Sequence, residues 1–142
     1  MHGTIVQEDG LTMRFSATLE NVDTACNAVG KMMSQRQVGK SIFATELLLR
    51  EALNNAVLHG SKADPRKTVQ CIVSFKKDFL VIEVSDEGEG FCWRSAIQER
   101  MVTESSSGRG LTIMKAYAAE MLFNDKGNQL KLKVMLPREE AV

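Results

Sequence analysis

The stretch Arg50-Glu51-Ala52-Leu53-Asn54-Asn55-Ala56-Val57-Leu58-His59-Gly60 sets a carboxylate and an amide four residues apart in an otherwise apolar run. Residues at i and i+4 stack on one helix face, so Glu51 and Asn55 point the same way, beside apolar neighbours. Taken alone, solvent exposure is the favoured account of such a pair, because short patterns recur by chance. Phe43, Leu47, Leu48, Leu49, Ala52, Leu53, Ala56 and Val57 nevertheless make a helix from about Ile42 to His59 that is apolar over more than one face. Helices of that kind are largely buried.

Upstream, Ile5 and Val6 precede Asp9-Gly10 while Leu11, Met13 and Phe15 follow it. Asp-Gly between extended runs predicts a hairpin over residues 4–17. Val22, Ala25, Cys26, Val29, Met32 and Met33 recur at helical spacing, which predicts an amphipathic helix from about Leu19 to Val38. The junction Ser34 to Ser41 imitates the end of a Walker A loop. Ser34 stands where the first glycine is required, and the segment follows a helix where a phosphate loop follows a strand. Gly39 as a helix stop and Ser41 as the next N-cap account for it.

Downstream, Gly60 to Lys67 read as a polar loop around Asp64-Pro65. Val69, Cys71, Val73 and Phe75 alternate as one strand, and Leu80, Ile82 and Val84 mark a second over Phe79 to Val84, the two pairing antiparallel. That strand runs into Asp86-Glu87-Gly88-Glu89-Gly90-Phe91, where alternating glycines permit a ligand to approach the backbone. It is not a dinucleotide fingerprint, since Trp93 replaces the third glycine. Residues 92–107 lack periodicity and end in Ser105-Ser106-Ser107, as a mobile loop does. Gly108-Arg109-Gly110 then open a helical pattern through Leu111, Ile113, Met114, Tyr117, Ala118, Met121 and Leu122. Glycines at a helix start leave free N–H groups at its positive end, which suits a phosphate, although a hinge with a cap fits equally. Asn124 to Gly127 make a turn, and Leu130, Leu132, Val134 and Leu136 alternate in a last strand that stops at Pro137.

Bulk properties bound the rest. With 142 residues, the chain fits one domain over residues 1–142, with core enough to fold without disulfides or a structural metal. Its 18 basic and 18 acidic residues argue against nucleic-acid or membrane-surface binding through bulk charge. Cys26, Cys71 and Cys92 are widely spaced, with no zinc pattern, and read as reduced thiols. Neither a leader pattern nor a membrane-length apolar run is present, so a cytoplasmic location is expected.

The order of a Glu/Asn helix, a strand ending in Asp86-x-Gly88-x-Gly90, a loop, and a Gly108-x-Gly110 helix start resembles the N, G1 and G2 boxes of the GHKL ATPase fold over roughly residues 11–136. Within that superfamily the chain is most similar to the bacterial anti-sigma-factor serine/threonine kinases. These share Glu-x-x-x-Asn-Ala-x-x-His-Gly, here Glu51 to Gly60, and Ser-Gly-x-Gly-x-Thr-Ile-Met, here Ser107 to Met114. The resemblance implies an α/β two-layer sandwich, with helices on one face of a mixed, mainly antiparallel sheet. It implies ATP and Mg²⁺ as cofactors, Asn55 as the metal ligand and Glu51 as the base that addresses the attacking hydroxyl. Asp86 would accept a hydrogen bond from the adenine amine, with Gly88 and Gly90 against the nucleotide. Ser107, Gly108, Arg109, Gly110 and Leu111 would wrap the phosphates beneath a lid that includes Ser105 and Ser106. His59 is expected to be structural, and Cys92 and Trp93 to pack. In this family a small hydroxyl residue often follows the glycine before the last strand, whereas here Asn128 and Gln129 follow Gly127.

The implied function is partner switching: phosphorylation of a STAS-domain anti-anti-sigma protein, and sequestration of a sigma factor or other regulator, in a chain that forms a homodimer. Two rival readings remain open at this level. One is an ATP-binding module that sequesters its partner without phosphoryl transfer. The other is an ATP hydrolase, which needs a transducer domain that 142 residues leave no room for.

Overall fold

The computed structural model describes residues 3–36, 42–88, 118–126 and 128–136. Six strands form one sheet in the order β1-β2-β3-β4-β6-β5, and every described pairing is antiparallel. The strands are β1 (Gly3–Gln7), β2 (Gly10–Ser16), β3 (Thr68–Phe75), β4 (Phe79–Asp86), β5 (Glu120–Phe123) and β6 (Gln129–Met135). Helices α1 (Leu19–Gln35) and α2 (Ile42–Asn55) cover one face, giving the two-layer α/β arrangement expected above.

Strict alternation decides which face is covered. Buried and partly exposed positions alternate through β3 and most of β4, so Val69, Cys71, Val73 and Phe75, then Leu80, Ile82 and Val84, point to the helices. Leu11, Met13 and Phe15 of β2 and Leu130, Leu132 and Val134 of β6 extend the same layer. Opposite them lie Val22, Ala25, Val29 and Met33 of α1 and Leu48, Leu49, Ala52 and Leu53 of α2. Cys26 and Cys71 are buried free thiols, and burial pushes Cys26 up to about 11. Both are held protonated and unreactive.

Local signals place the elements. Thr18 caps α1 by accepting a hydrogen bond from the Asn21 N–H at 3.2 Å. Arg50 of α2 pairs with Asp23 of α1 across the helix layer. The first hairpin forms as expected, but its two-residue loop is Glu8-Asp9, and Gly10 is already paired with Gln7. Gly10 serves a close approach: a Cβ there would lie 2.1 Å from the Val73 carbonyl oxygen.

One expected element is corrected. The helical pattern drawn from Leu111 to Leu122 ends too late, because Glu120–Phe123 form β5 against β6. In β5 Met121 and Phe123 are partly buried and packed on the core, while Glu120 and Leu122 are exposed. That alternation of period two was masked by the helical spacing before it. Gly39 and Ser41, assigned above as stop and cap, lie outside the described residues, as do 111–117.

Candidate functional site

The regular turn of α2 stops at Asn55. Ala56–Gly60 continue as a π-helical turn, in which the Ser61 N–H reaches back five residues to the Ala56 carbonyl at 2.8 Å. Such widened turns are rare and recur at functional sites. The chain leaves it through Lys62 and Ala63, both in the left-handed region at φ 53° and 54°. That conformation costs a non-glycine residue about 1 kcal/mol or more, so the exit is held by its surroundings. The Ala63 N–H donates to the Val57 carbonyl at 2.7 Å, and Ser61 is fully buried.

The widened turn delivers Gly60 to the end of β4. A Cβ on Gly60 would fall 2.2 Å from Asp86 Oδ2, and one on Gly88 would fall 1.9 Å from the Gly60 carbonyl oxygen. Both distances are far inside van der Waals contact, so two glycines are required for this approach. The Gly88 N–H donates to Asp86 Oδ1 at 2.7 Å and fixes the carboxylate. Burial pushes the Asp86 carboxyl above its ordinary value, opposed by the Gly88 N–H and by Lys67 and Lys126.

A third segment closes the arrangement. The Asp86 N–H donates to the Asn128 carbonyl at 3.0 Å, while Asn128 Nδ2 donates to the carbonyls of Asp86 and Gly88 at 3.3 and 3.4 Å. Asn124 Nδ2 in turn donates to Asn128 Oδ1 at 2.7 Å. Between these segments lies a small open cleft lined by Ala52, Asn55, Ala56, Gly60, Val84, Asp86, Phe123, Asn128, Gln129 and Leu130. Apolar walls with a single fixed carboxylate suit a flat base bearing an amino group. Adenine meets that description, and the Asp86 carboxylate, an acceptor, therefore suits the amino group of the base of ATP.

The structure thus brings Asn55 and Asp86 into one cleft, with Gly88 pressed on Gly60 at its edge. Glu51 is partly buried one turn before Asn55 and is not among the cleft-lining residues. His59 is exposed. Gly90, Cys92, Trp93, Ser105, Ser106, Ser107, Gly108, Arg109, Gly110 and Leu111 lie outside the described residues. Among the described residues no group of three or more His, Cys, Asp or Glu could hold a metal. The amide of Asn55 matches the sparse protein ligation of Mg²⁺ bound together with phosphates. Sequence reasoning gave no role to Asn124, Asn128 or Phe123. The available signal was Asn124 and Asn128 bracketing a tight turn, where asparagine side chains bond to nearby backbone.

Comparison with known proteins agrees with this geometry. The pattern of the histidine kinase-like ATPase domain matches residues 15–134. The chain is similar to the anti-sigma F factor of Geobacillus kaustophilus, 26% identical over 138 residues that cover 92% of this chain and 94% of the relative. It is likewise similar to the anti-sigma F factor of Shouchella clausii, 27% identical with 78% and 80% covered. That of Clostridium perfringens is 25% identical, with 89% and 96% covered. An ATPase domain implies ATP binding, which the cleft at Asn55 and Asp86 suits. With a match that runs from the end of β2 into β6, the chain belongs to the histidine kinase-like ATPase domain family.

Proposed function

We propose that this chain is an ATP-dependent serine/threonine protein kinase acting as an anti-sigma factor in a partner-switching system. It phosphorylates a STAS-domain anti-anti-sigma protein and, in its other state, sequesters a sigma factor or other regulator, working as a homodimer in the cytoplasm. The observation that carries this reading is the convergence of Asn55, Asp86 and Gly60 on one cleft in a chain whose relatives are anti-sigma F factors. No described helix is long and apolar enough to cross a membrane.

In this reading Asp86 accepts a hydrogen bond from the adenine amine, and Ala52, Ala56, Val84, Phe123 and Leu130 hold the base by apolar contact. Asn55 offers its amide oxygen to Mg²⁺, which when bound neutralises charge on the phosphates. Glu51, one helical turn away, orients and deprotonates the attacking hydroxyl of the partner. Gly90 supports the base beside Gly88. Ser107, Gly108, Arg109, Gly110 and Leu111 contact the phosphates.

The rival reading is an ATP-binding module that sequesters its partner under nucleotide control without phosphoryl transfer. Incubating the protein with γ-labelled ATP, Mg²⁺ and a candidate STAS-domain protein decides between them. Phosphoserine or phosphothreonine on the partner supports the kinase. Nucleotide-dependent association without a phosphoprotein supports the second reading.

A further inference from the structure

Asn128 stands where the family resemblance leads to a small hydroxyl residue, and its side-chain amide is engaged through both its nitrogen and its oxygen. The orientation of its amide follows from its neighbours. Carbonyl oxygens only accept, so the atom facing the carbonyls of Asp86 and Gly88 at 3.3 and 3.4 Å must be the NH₂ group. Asn128 Oδ1 is then left for the Asn124 NH₂ at 2.7 Å. Asn124 is oriented in the same way, because its own oxygen accepts the N–H groups of Asn128 and Gln129 at 3.0 and 3.2 Å. The chain of bonds therefore has one polarity, from the β5–β6 turn into the two carbonyls that flank the Asp86 side chain.

These bonds act where the Asp86 carboxylate is aimed. Its N–H is held by the Asn128 carbonyl at 3.0 Å, its own carbonyl by Asn128 Nδ2, and its Oδ1 by the Gly88 N–H at 2.7 Å. Gly88 is fixed in turn through its carbonyl by the same Asn128 amide. With Gly60 blocking one side, Asp86 is left a narrow range of positions toward the cleft. A carboxylate held this way distinguishes a base with an amino group from one with a carbonyl at the same place, since the second presents an acceptor to an acceptor.

We infer that Asn128 is a positioning residue that sets the base selectivity of the cleft, by clamping Asp86 and Gly88 through one side-chain amide braced by Asn124. The inference rests on the nucleotide-binding reading above. Asn128→Asp keeps the shape and replaces the donor by an acceptor facing two carbonyls, while Asn128→Ala removes the side chain and leaves the backbone bond to Asp86.

The test measures binding of ATP and GTP to the 142-residue chain and both variants, by competition with a fluorescent ATP analogue, alongside thermal unfolding without nucleotide. The wild-type chain is expected to prefer ATP. Asn128→Ala is expected to weaken ATP about tenfold with GTP nearly unchanged, and Asn128→Asp to narrow the preference further. Equal weakening of both nucleotides, or an unchanged ratio of the two affinities, overturns the inference and leaves the nucleotide site standing. A wild-type chain that binds neither nucleotide overturns the nucleotide reading itself. Should Asn128→Asp fail to fold, Asn128→Ala alone decides through the ratio, which a loss of stability common to both complexes does not move.

Discussion

Gly60 and Asp86, the last residue of a π-helical turn and the last residue of β4, approach so closely that a Cβ on Gly60 would sit 2.2 Å from Asp86 Oδ2. The helix layer and the sheet layer therefore meet at the carboxylate without an intervening side chain. Widening the helix after Asn55 is what permits this, since the added residue in the turn changes the direction in which the chain leaves α2. Asn55, the residue just before that turn, lines the cleft.

Gly60→Ala should weaken ATP binding more than it weakens the fold. The methyl group must displace either the Asp86 side chain or the π-helical turn, and overpacking of this kind typically costs about 1–3 kcal/mol. Titration with a fluorescent ATP analogue is expected to show at least about a tenfold loss of affinity. Chemical denaturation is expected to show a folded protein. Affinity equal to wild type would mean that Asp86 does not need this position.

Asp86→Asn should stabilise the nucleotide-free protein near neutral pH while removing ATP binding. Burial raises the Asp86 carboxyl above 3.8, so between that value and the raised one the folded state holds more protons than the unfolded state. Stability from this group therefore falls as pH rises through that window, and the uncharged amide removes the dependence. Asp86 keeps part of its solvent contact, so screening keeps the gain small. Thermal unfolding across acid to neutral pH checks the sign: the variant should match the wild type at low pH and exceed it above the window.

The strands were legible because their alternation is regular: Val69 to Phe75 and Leu80 to Val84 each put every second side chain in the core. The site was legible in part, since Asn55 and Asp86 stand in ordered motifs that carry the family resemblance. Two features were not. The π-helical turn leaves no periodic signature, because five residues at the end of an apolar helix read the same with either hydrogen-bond pattern. The clamp at Asn128 depends on contacts about forty residues apart in sequence, which local spacing does not encode. β5 was absorbed into a helix because Met121 and Leu122 continued a helical spacing begun at Leu111, and pairing with β6 outweighed it.

Glu51→Gln and Asn55→Ala should separate binding from transfer. Glu51 lies outside the cleft lining, so its loss should leave ATP affinity within about twofold and reduce phosphoryl transfer by about 100-fold or more. Asn55→Ala should lose the Mg²⁺-dependent part of ATP affinity and resemble the wild type measured in EDTA. Binding with and without Mg²⁺, together with label transfer to the STAS-domain partner, reads both. Transfer retained in Glu51→Gln would rule out Glu51 as the base.

Gly10→Ala tests whether the first hairpin is held by close approach or by turn geometry. Gly10 is paired in β2 with Ser74 of β3, and its missing Cβ would point at the Val73 carbonyl 2.1 Å away. That atom is backbone in a central pairing of the sheet, so it cannot swing aside as a side chain would. The neighbouring bond from the Phe75 N–H to the Asp9 carbonyl, at 2.6 Å, ties the same corner together. Alanine should therefore push β2 from β3 at this end and cost about 1–3 kcal/mol. If turn conformation alone required glycine, Asp9→Gly in the same chain would restore stability by relaxing the loop. The close approach predicts no rescue, and urea denaturation of the single and double variants distinguishes the two accounts.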